Sequence, residues 1–173
     1  MLLSVSLVYG IRLEFTPKNN PQTSSTPIAY GVYGGFQLTL TLQKTEYSLG
    51  ELVNVTLTVT NISNQTVGFQ EAPSWWDFLV YNDTQNGLYE WLRDSGQAFP
   101  MYVTTVSLPP GTGFTDEVLV WPQLCNSTLG HYGNADSPVL PGTYYIVGKY
   151  EDFGYSFDYN LQTTPIQITI AQP

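Results

Sequence analysis

The stretch Glu51-Leu52-Val53-Asn54-Val55-Thr56-Leu57-Thr58-Val59-Thr60 alternates apolar and polar side chains from Val53 onward. Alternation with a period of two predicts a β-strand that buries one face, here the odd-numbered side chains from Val53 to Val59. Residues 36–42 repeat the pattern, with apolar even-numbered residues between Gln and Thr. Strands that are apolar on one face and polar on the other are typical of antiparallel sheets with one solvated side.

The rest of the chain carries strand signals separated by turn-forming residues. Further candidate strands cover residues 66–70, 77–81, 101–108, 114–121, 144–150, 155–161 and 165–170. The turns between them are marked by Pro109-Pro110-Gly111, Pro141-Gly142 and Asp152-Phe153-Gly154. Residues 122–141 lack strand periodicity and are interpreted as a long surface loop. Because no amphipathic helix of normal length is present, the pattern predicts an all-β antiparallel sandwich.

The first fifteen residues form a second amphipathic pattern, which we interpret as a protruding donor strand. It would span roughly 50 Å at about 3.3 Å per residue. Its buried side chains would be Leu3, Val5, Leu7, Tyr9, Ile11, Leu13 and Phe15. Residues 16–30 read as a linker, and residues 31–173 as the domain. A remnant of a signal peptide is the weaker reading, because the segment lacks a basic start and the alternation continues to Phe15.

Such a strand needs a groove, either in an identical neighbouring subunit or in its own domain. The strands at residues 36–42 and 166–170, the first and last of the domain, are the candidates for bordering that groove. Insertion into a neighbour would give a head-to-tail homopolymer.

Composition limits the partners. Charged residues make up 11% of the 173 residues, and the formal net charge is -9. An acidic chain of this kind is a poor ligand for nucleic acid or for an anionic membrane surface. No apolar run reaches the length of a membrane span.

Five sequons suggest N-linked glycans and an extracellular location. They start at Asn54, Asn61, Asn64, Asn82 and Asn126. The alternation places Asn54 on the outward face of its strand, and the others fall near turns or loops, so none is expected in the core. The alternative is that a chain rich in Ser, Thr and Asn produces sequons by accident.

The residues that carry catalysis or bind metals are scarce. His131 is the only histidine and Cys125 the only cysteine. Nothing orients these two as a catalytic pair, and zinc spacing is absent. The acidic residues Glu151, Asp152 and Asp158 lack the spacing of a calcium loop. We therefore expect no enzyme activity, no metal and no cofactor other than glycans.

Aromatic residues are the remaining candidates for a binding surface. Tyr155, Phe157 and Tyr159 share one strand face, and Trp75 and Trp76 are adjacent. Such groups stack on sugars in some proteins, but burial in the core of a sandwich is the favoured reading.

The segment from Tyr47 to Tyr150 resembles the BsuPI-type intracellular proteinase inhibitor domain. The resemblance is carried by Leu49-Gly50-Glu51, Thr60-Asn61, Trp76-Asp77-Phe78-Leu79-Val80, Trp91, Phe99, Pro110-Gly111, Trp121 and Pro141-Gly142-Thr143-Tyr144. It implies an immunoglobulin-like sandwich, and it transfers no inhibitory residue because these positions are framework aromatics and turns.

The arrangement of the whole chain resembles thread-type filament subunits of thermoacidophilic archaea, which are glycosylated and assemble by donor-strand complementation. On this basis the sequence predicts the structural subunit of an extracellular, cell-surface filament whose partners are identical subunits. The alternative is a secreted BsuPI-like proteinase inhibitor or an adhesion module whose first strand folds onto its own domain.

Overall fold

A computed structural model describes residues 26–72, 75–82, 89–92, 103–115, 118–125, 137–151 and 160–172. Apart from a 3₁₀ turn at Trp75, the secondary-structure elements of these residues are β-strands. They are β1 (Ile28–Tyr33), β2 (Phe36–Leu42), β3 (Glu46–Ser48), β4 (Val53–Asn61), β5 (Val67–Glu71), β6 (Trp76–Asn82), β7 (Tyr89–Leu92), β8 (Thr104–Leu108), β9 (Gly113–Thr115), β10 (Leu119–Trp121), β11 (Leu124–Cys125), β12 (Ser137–Pro138), β13 (Gly142–Glu151), β14 (Asn160–Gln162) and β15 (Ile166–Ala171).

Two main sheets form the sandwich. The first has the order β1-β2-β4-β10, with β9 also paired to β4. The second has the order β3-β15-β13-β6-β7, with β14 also paired to β13. The pairing is antiparallel except between β3 and β15, which run parallel. The predicted all-β, immunoglobulin-like antiparallel sandwich is therefore confirmed.

The core lies between the two sheets and follows the predicted alternation. In β4 the side chains from Val53 to Val59 alternate between buried and half-buried, and β2 repeats this pattern. Aromatic rings fill the centre, with Phe69 4.8 Å from Tyr150 and Trp76 5.0 Å from Tyr150 between centroids. Trp75 and Trp76 are both buried, so they belong to the core and offer no surface platform for a sugar.

The strands expected to border a groove have a neighbour on each side. Strand β2 lies between β1 and β4, and β15 lies between β3 and β13. Strand β1 begins at Ile28, inside the segment predicted as linker, and supplies the neighbour that β2 would otherwise lack. Among the described residues, β1 therefore covers the side of β2 that faces away from β4, whereas β3 covers β15 only along residues 169–171.

The chain between β14 and β15 crosses the edge of the first sheet. The backbone N–H of Thr164 donates to the carbonyl of Tyr30 at 3.0 Å. A Cβ atom on Gly31 would lie 1.7 Å from the carbonyl oxygen of Gln162. Only glycine fits at this position, because any side chain would collide with the crossing backbone.

Several sequence predictions fall outside the described residues. They are the donor-strand residues Leu3, Val5, Leu7, Tyr9, Ile11, Leu13 and Phe15, the linker up to residue 25, and Asn126, His131, Asp152, Tyr155, Phe157, Asp158 and Tyr159. Within the predicted surface loop 122–141, the structure contains the short antiparallel pair β11 and β12. No helix in the described part of the chain is long and apolar enough to cross a membrane.

Candidate functional site

Strand β4 spans the sandwich and defines two ends, which lie about 26 Å apart at 3.3 Å per residue. The Asn61 end comprises residues 61–65 and 108–113, where β4 stops. The Gln123 end comprises residues 47–52, 121–124 and 138–142, where β4 starts opposite Trp121. Each end is organised by one buried carboxamide side chain.

At the Asn61 end, the side chain of Asn61 is fully buried. Its Nδ2 donates to the carbonyls of Gln65 and Leu108, both at 2.8 Å. Its Oδ1 accepts from the backbone N–H of Ser63 at 2.9 Å and from the Ser63 hydroxyl at 2.7 Å. Asn61 therefore joins two loops and has both amide hydrogens engaged.

This geometry bears directly on one of the predicted glycosylation sites. A glycan on Asn61 would replace a hydrogen that Nδ2 donates, and it would need space that a fully buried side chain lacks. The structure is therefore incompatible with a glycan at Asn61, contrary to the expectation that no sequon lies in the core.

The other predicted acceptors are placed differently. Asn64 is exposed, Asn54 is half-buried on β4, and Asn82 is half-buried at the end of β6. Asn126 lies outside the described residues. Modification at these four positions stays a prediction. The sequon pattern itself does not distinguish an exposed asparagine from one that is part of the fold.

At the Gln123 end, Gln123 is also buried, with 1% of its surface exposed. Its Oε1 accepts from the N–H of Gly50 at 2.7 Å, and its Nε2 donates to the carbonyl of Ser48 at 2.9 Å. Its own carbonyl accepts from the N–H of Val139 at 2.9 Å. One residue thus ties together three segments that are distant in sequence.

The backbone of Gln123 has a φ of 58°, in the left-handed region that non-glycine residues seldom adopt. Such a conformation costs on the order of 1–3 kcal/mol and persists only where the surroundings enforce it. Sequence reasoning missed Gln123 because it lies in a stretch interpreted as loop, and a single glutamine there carries no recognisable signal.

The turn at residues 48–51 is stabilised by a charged pair. Lys44 Nζ lies 2.6 Å from Glu51 Oε1, and Glu51 Oε2 accepts from the N–H of Ser48 at 3.0 Å. The hydrogen bond from Lys44 holds the pKa of the Glu51 carboxyl below its usual range. Burial raises the pKa of the Tyr47 phenol, over which Lys44 Nζ lies at 5.0 Å.

Beside this turn, residues 138–142 form a loop that we call the Leu140 loop. Val139 is buried and bonded to Gln123. The next side chain, Leu140, is 77% exposed, the highest value among the large apolar residues of the described chain. The carbonyl of Leu140 accepts from the hydroxyl of Tyr144 at 2.6 Å. The loop therefore presents one apolar side chain between two fixed points.

The support beneath the Leu140 loop is aromatic. The ring of Tyr144 lies 5.5 Å from that of Trp121, between centroids, and both side chains are buried. Trp121 Nε1 donates to the carbonyl of Leu124 at 3.0 Å, and Leu124 pairs with Pro138 at the start of the loop. Tyr144 therefore holds the loop directly at Leu140, and Trp121 supports it through the strand pair at its start.

This arrangement favours binding. Among the described residues, no group of three or more His, Cys, Asp and Glu side chains could hold a metal ion. What the Gln123 end offers is a rigid protruding loop, which a partner protein can bind at a small cost in ordering. The fold is that of the immunoglobulin-like sandwich class.

Comparison with known families is more specific. The chain belongs to the BsuPI family, described as intracellular proteinase inhibitor, whose match covers residues 40–151 and thus more than half of the chain. The matched segment contains Asn61, Gln123 and the Leu140 loop. The sequence-level resemblance to this family is therefore confirmed.

The family match corrects the predicted localisation. The family is described as intracellular, so the expectation of an extracellular, cell-surface filament is wrong. The sequons had carried that expectation, and the burial of Asn61 removes one of them. No comparison supports the resemblance to archaeal filament subunits.

Other comparisons add little. No curated protein matches the chain. A β-glucosidase from Listeria innocua in complex with glucose matches with a TM-score of 0.42 and 16% identity, over 80% of this chain and 16% of that one. A β-glucosidase from Erythrobacter marinus matches with a TM-score of 0.39 and 14% identity, over 84% of this chain and 16% of that one. The chain thus spans about one sixth of these enzymes, and the likeness is too low to support an argument about activity.

Proposed function

We propose that the protein is an intracellular proteinase inhibitor that acts by binding its target and performs no chemistry itself. The observation that carries the proposal is the Leu140 loop, which protrudes from a buried framework at the Gln123 end. Proteinase clefts bind an extended segment and take one of its side chains into a pocket. Membership of the BsuPI family supports the same function.

The hydrogen bonds that hold the Leu140 loop would favour tight binding. Protein–protein binding is opposed by the cost of ordering loops and side chains, and a loop that is already ordered avoids that cost. In this chain the bonds from Val139 to Gln123 and from Tyr144 to Leu140 order the loop in the free protein. Proteinase–inhibitor complexes are among the tightest known for interfaces of about 800 Å² per partner.

The test is inhibition by the purified full-length chain. Serine, cysteine, aspartic and metalloproteinases are each titrated with the protein, and residual activity on a small fluorogenic substrate is measured. We expect tight inhibition of at least one class, competition with an active-site-directed inhibitor, and a complex in size-exclusion chromatography. If none of the four classes is inhibited at micromolar protein, the proposal is wrong.

A matched pair of variants locates the binding surface. Ile62→Ser changes an exposed apolar residue at the Asn61 end, whereas Leu52→Ser changes one at the Gln123 end. We expect Ile62→Ser to inhibit like the wild type and Leu52→Ser to weaken inhibition. The reverse order would place the contact at the Asn61 end.

Assembly of identical subunits through residues 1–15 stays a prediction. The described residues do not favour it, since β2 and β15 each have two neighbouring strands. Sedimentation of the chain over a range of concentrations, with and without residues 1–15, tests it. Polymers that require those residues would support assembly by that segment.

A further inference from the structure

We propose that Leu140 enters the primary specificity pocket of the target, that the target is a proteinase with an apolar pocket, and that Pro141 keeps the bond after Leu140 intact. This inference rests on the proposed function, because it names the partner class and the contact residue for inhibition. Three features of the Leu140 loop carry it.

The first feature is shape. A pocket binds a side chain that protrudes, and Leu140 is 77% exposed in a segment without strand pairing. Val32 is also well exposed, but it lies on β1 within a sheet and is paired with Gln37. A residue on the flat surface of a sheet cannot enter a deep pocket, so Leu140 is the better candidate.

The second feature is rigidity on both sides of the leucine. The residue before it donates its N–H to Gln123 at 2.9 Å, and the carbonyl of Leu140 accepts from Tyr144 at 2.6 Å. The two supporting groups, the main-chain carbonyl of Gln123 and the hydroxyl of Tyr144, belong to buried residues. The position of the Leu140 Cα is therefore fixed before any partner binds, which favours tight binding.

The third feature is the absence of charge in the loop. Residues 138–142 read Pro-Val-Leu-Pro-Gly. In the neighbouring turn, Lys44 and Glu51 are paired with each other. A proteinase pocket that contains a carboxylate selects a cationic side chain, whereas an apolar slot selects a side chain such as leucine. The loop therefore fits an apolar pocket.

The bond after Leu140 is poorly suited to hydrolysis. Proline has a ring on its nitrogen, no N–H and a fixed φ, so the bond that Pro141 follows is a bulky tertiary amide. The carbonyl of this bond already accepts a hydrogen bond from Tyr144. Donors of an oxyanion hole would have to share that oxygen. Leu140 can therefore occupy the pocket while the chain stays intact.

The first experiment exchanges the leucine in the full-length chain. The probes are a serine proteinase with a chymotrypsin-like apolar pocket and one with a trypsin-like acidic pocket. We expect Leu140→Ala to weaken inhibition of the first by at least about 30-fold, as for a hot-spot residue. Leu140→Asp should abolish it, and Leu140→Lys should transfer inhibition to the second proteinase.

The matched control is Leu52→Ala, an exposed leucine of the same end. We expect a smaller loss of inhibition than for Leu140→Ala. Thermal unfolding of the Leu140 variants should match the wild type, because the side chain is exposed and contributes little to the fold. A change in inhibition at unchanged stability therefore reports on the contact itself.

The second experiment tests whether the proteinase cleaves the bond between Leu140 and Pro141. After long incubation with the proteinase, intact-mass analysis should show uncut wild-type protein. Pro141→Ala should be cut once, after Leu140, and the two products together should exceed the uncut chain by the mass of one water. Adding Tyr144→Phe, which keeps the ring and removes the hydroxyl, should make that cut faster.

The outcomes separate the two proposals. If the wild type inhibits but Leu140→Ala and Leu140→Asp inhibit equally well, the role of Leu140 is overturned and the inhibitor function stands. If the wild type inhibits no proteinase, the proposed function itself fails. A cut in Pro141→Ala at another bond would overturn the assignment of the Leu140–Pro141 bond.

Discussion

The two ends of the sandwich use the same device for different purposes. Asn61 and Gln123 are both buried carboxamides that bond to backbone groups of distant loops. At the Asn61 end, the loop held in place is Pro109-Pro110-Gly111, which carries no large apolar side chain. At the Gln123 end, the carboxamide holds the turn at residues 48–50, and the main-chain carbonyl of Gln123 holds the loop that presents Leu140.

The comparison shows that a rigid framework does not by itself make a binding site. The loops at both ends are held by hydrogen bonds of similar length, but the most exposed large apolar side chain among the described residues is Leu140, whereas Ile62 at the Asn61 end is 48% exposed. The function proposed for the Gln123 end therefore depends on the side chain that the framework presents. If the two ends are equal in framework and unequal in binding, substitutions at either end should lower stability, and only those at the Gln123 end should lower affinity.

The largest expected effect on stability is at the Asn61 end. Asn61→Ala removes the hydrogen bonds to the carbonyls of Gln65 and Leu108 and to the N–H of Ser63, which should cost about 3 kcal/mol of the free energy of unfolding. Urea unfolding measures this loss. Asn64→Ala is the control: it lies in the same loop but is exposed, so stability should change by less than about 0.5 kcal/mol. Equal values for the two variants would contradict the role assigned to Asn61.

Gln123→Ala should have a smaller effect on stability and a larger one on binding. It removes the bonds to Gly50 and Ser48, at a cost of about 2 kcal/mol, and releases the turn at residues 48–50. The N–H of Val139 keeps its bond to the main-chain carbonyl of residue 123, so the Leu140 loop is loosened only indirectly, through the left-handed backbone that the side-chain bonds help to hold. Proteinase affinity is then measured for this variant and for Asn61→Ala at a temperature where both are folded. Affinity should fall only for Gln123→Ala, and a similar fall for Asn61→Ala would break the distinction between the ends.

A matched glycine pair tests whether the frameworks are equivalent. Gly50 at the Gln123 end and Gly111 at the Asn61 end have φ values of 83° and 73°, and a Cβ at either would meet nothing within 4 Å. Each substitution by Ala should therefore cost only the left-handed backbone strain, about 1 kcal/mol. Thermal or urea unfolding gives both values. A clear inequality would show that one end is held more strictly than the other.

The smallest expected effect is a pH dependence of the stability of the turn at residues 48–51, which is confined to the Gln123 end. The pKa of Glu51 is lowered by Lys44 in the folded protein, so this pair stabilises the turn above the pKa of the unfolded chain. That contribution is lost as the pH falls through the lower, folded-state pKa, below about pH 4. The Asn61 end has no ionisable side chain in residues 61–65 and 108–113.

Amide NMR measures this difference. The N–H of Ser48, which donates to Glu51, should titrate in acid, whereas the N–H of Ser63 should not. In Glu51→Gln the titration at Ser48 should disappear. A titration that persists in this variant would rule out Glu51 as its source.

The sequence predicted the parts of the fold that depend on periodic patterns. The alternation in β2 and β4, the sandwich and the burial of Trp76 all follow from repeated apolar spacing or from aromatic size. These signals extend over several residues and report directly on which side of a strand is buried.

The sequence did not predict what depends on single residues and distant contacts. The side chain of Gln123 forms hydrogen bonds with Gly50 and Ser48, which lie more than seventy residues away in the sequence. Asn61 carries a sequon, and the pattern favoured a glycan over burial. Strand β1 comes directly after a polar, proline-containing stretch that ends at Pro27. Its pairing with β2 therefore depends on tertiary context, which the local sequence does not show. Leu140 stands out only once its neighbours are known to be fixed.

The chain that crosses β1 has a consequence for behaviour in solution. Strand β1 lies at the edge of the first sheet, and Ile28, Tyr30 and Val32 are exposed along it. An open edge of this kind would recruit strands from other molecules and promote aggregation. The bond from Thr164 to Tyr30 and the backbone of Gln162 against Gly31 obstruct that edge at its middle. The crossing therefore protects the protein against edge-to-edge association at high concentration.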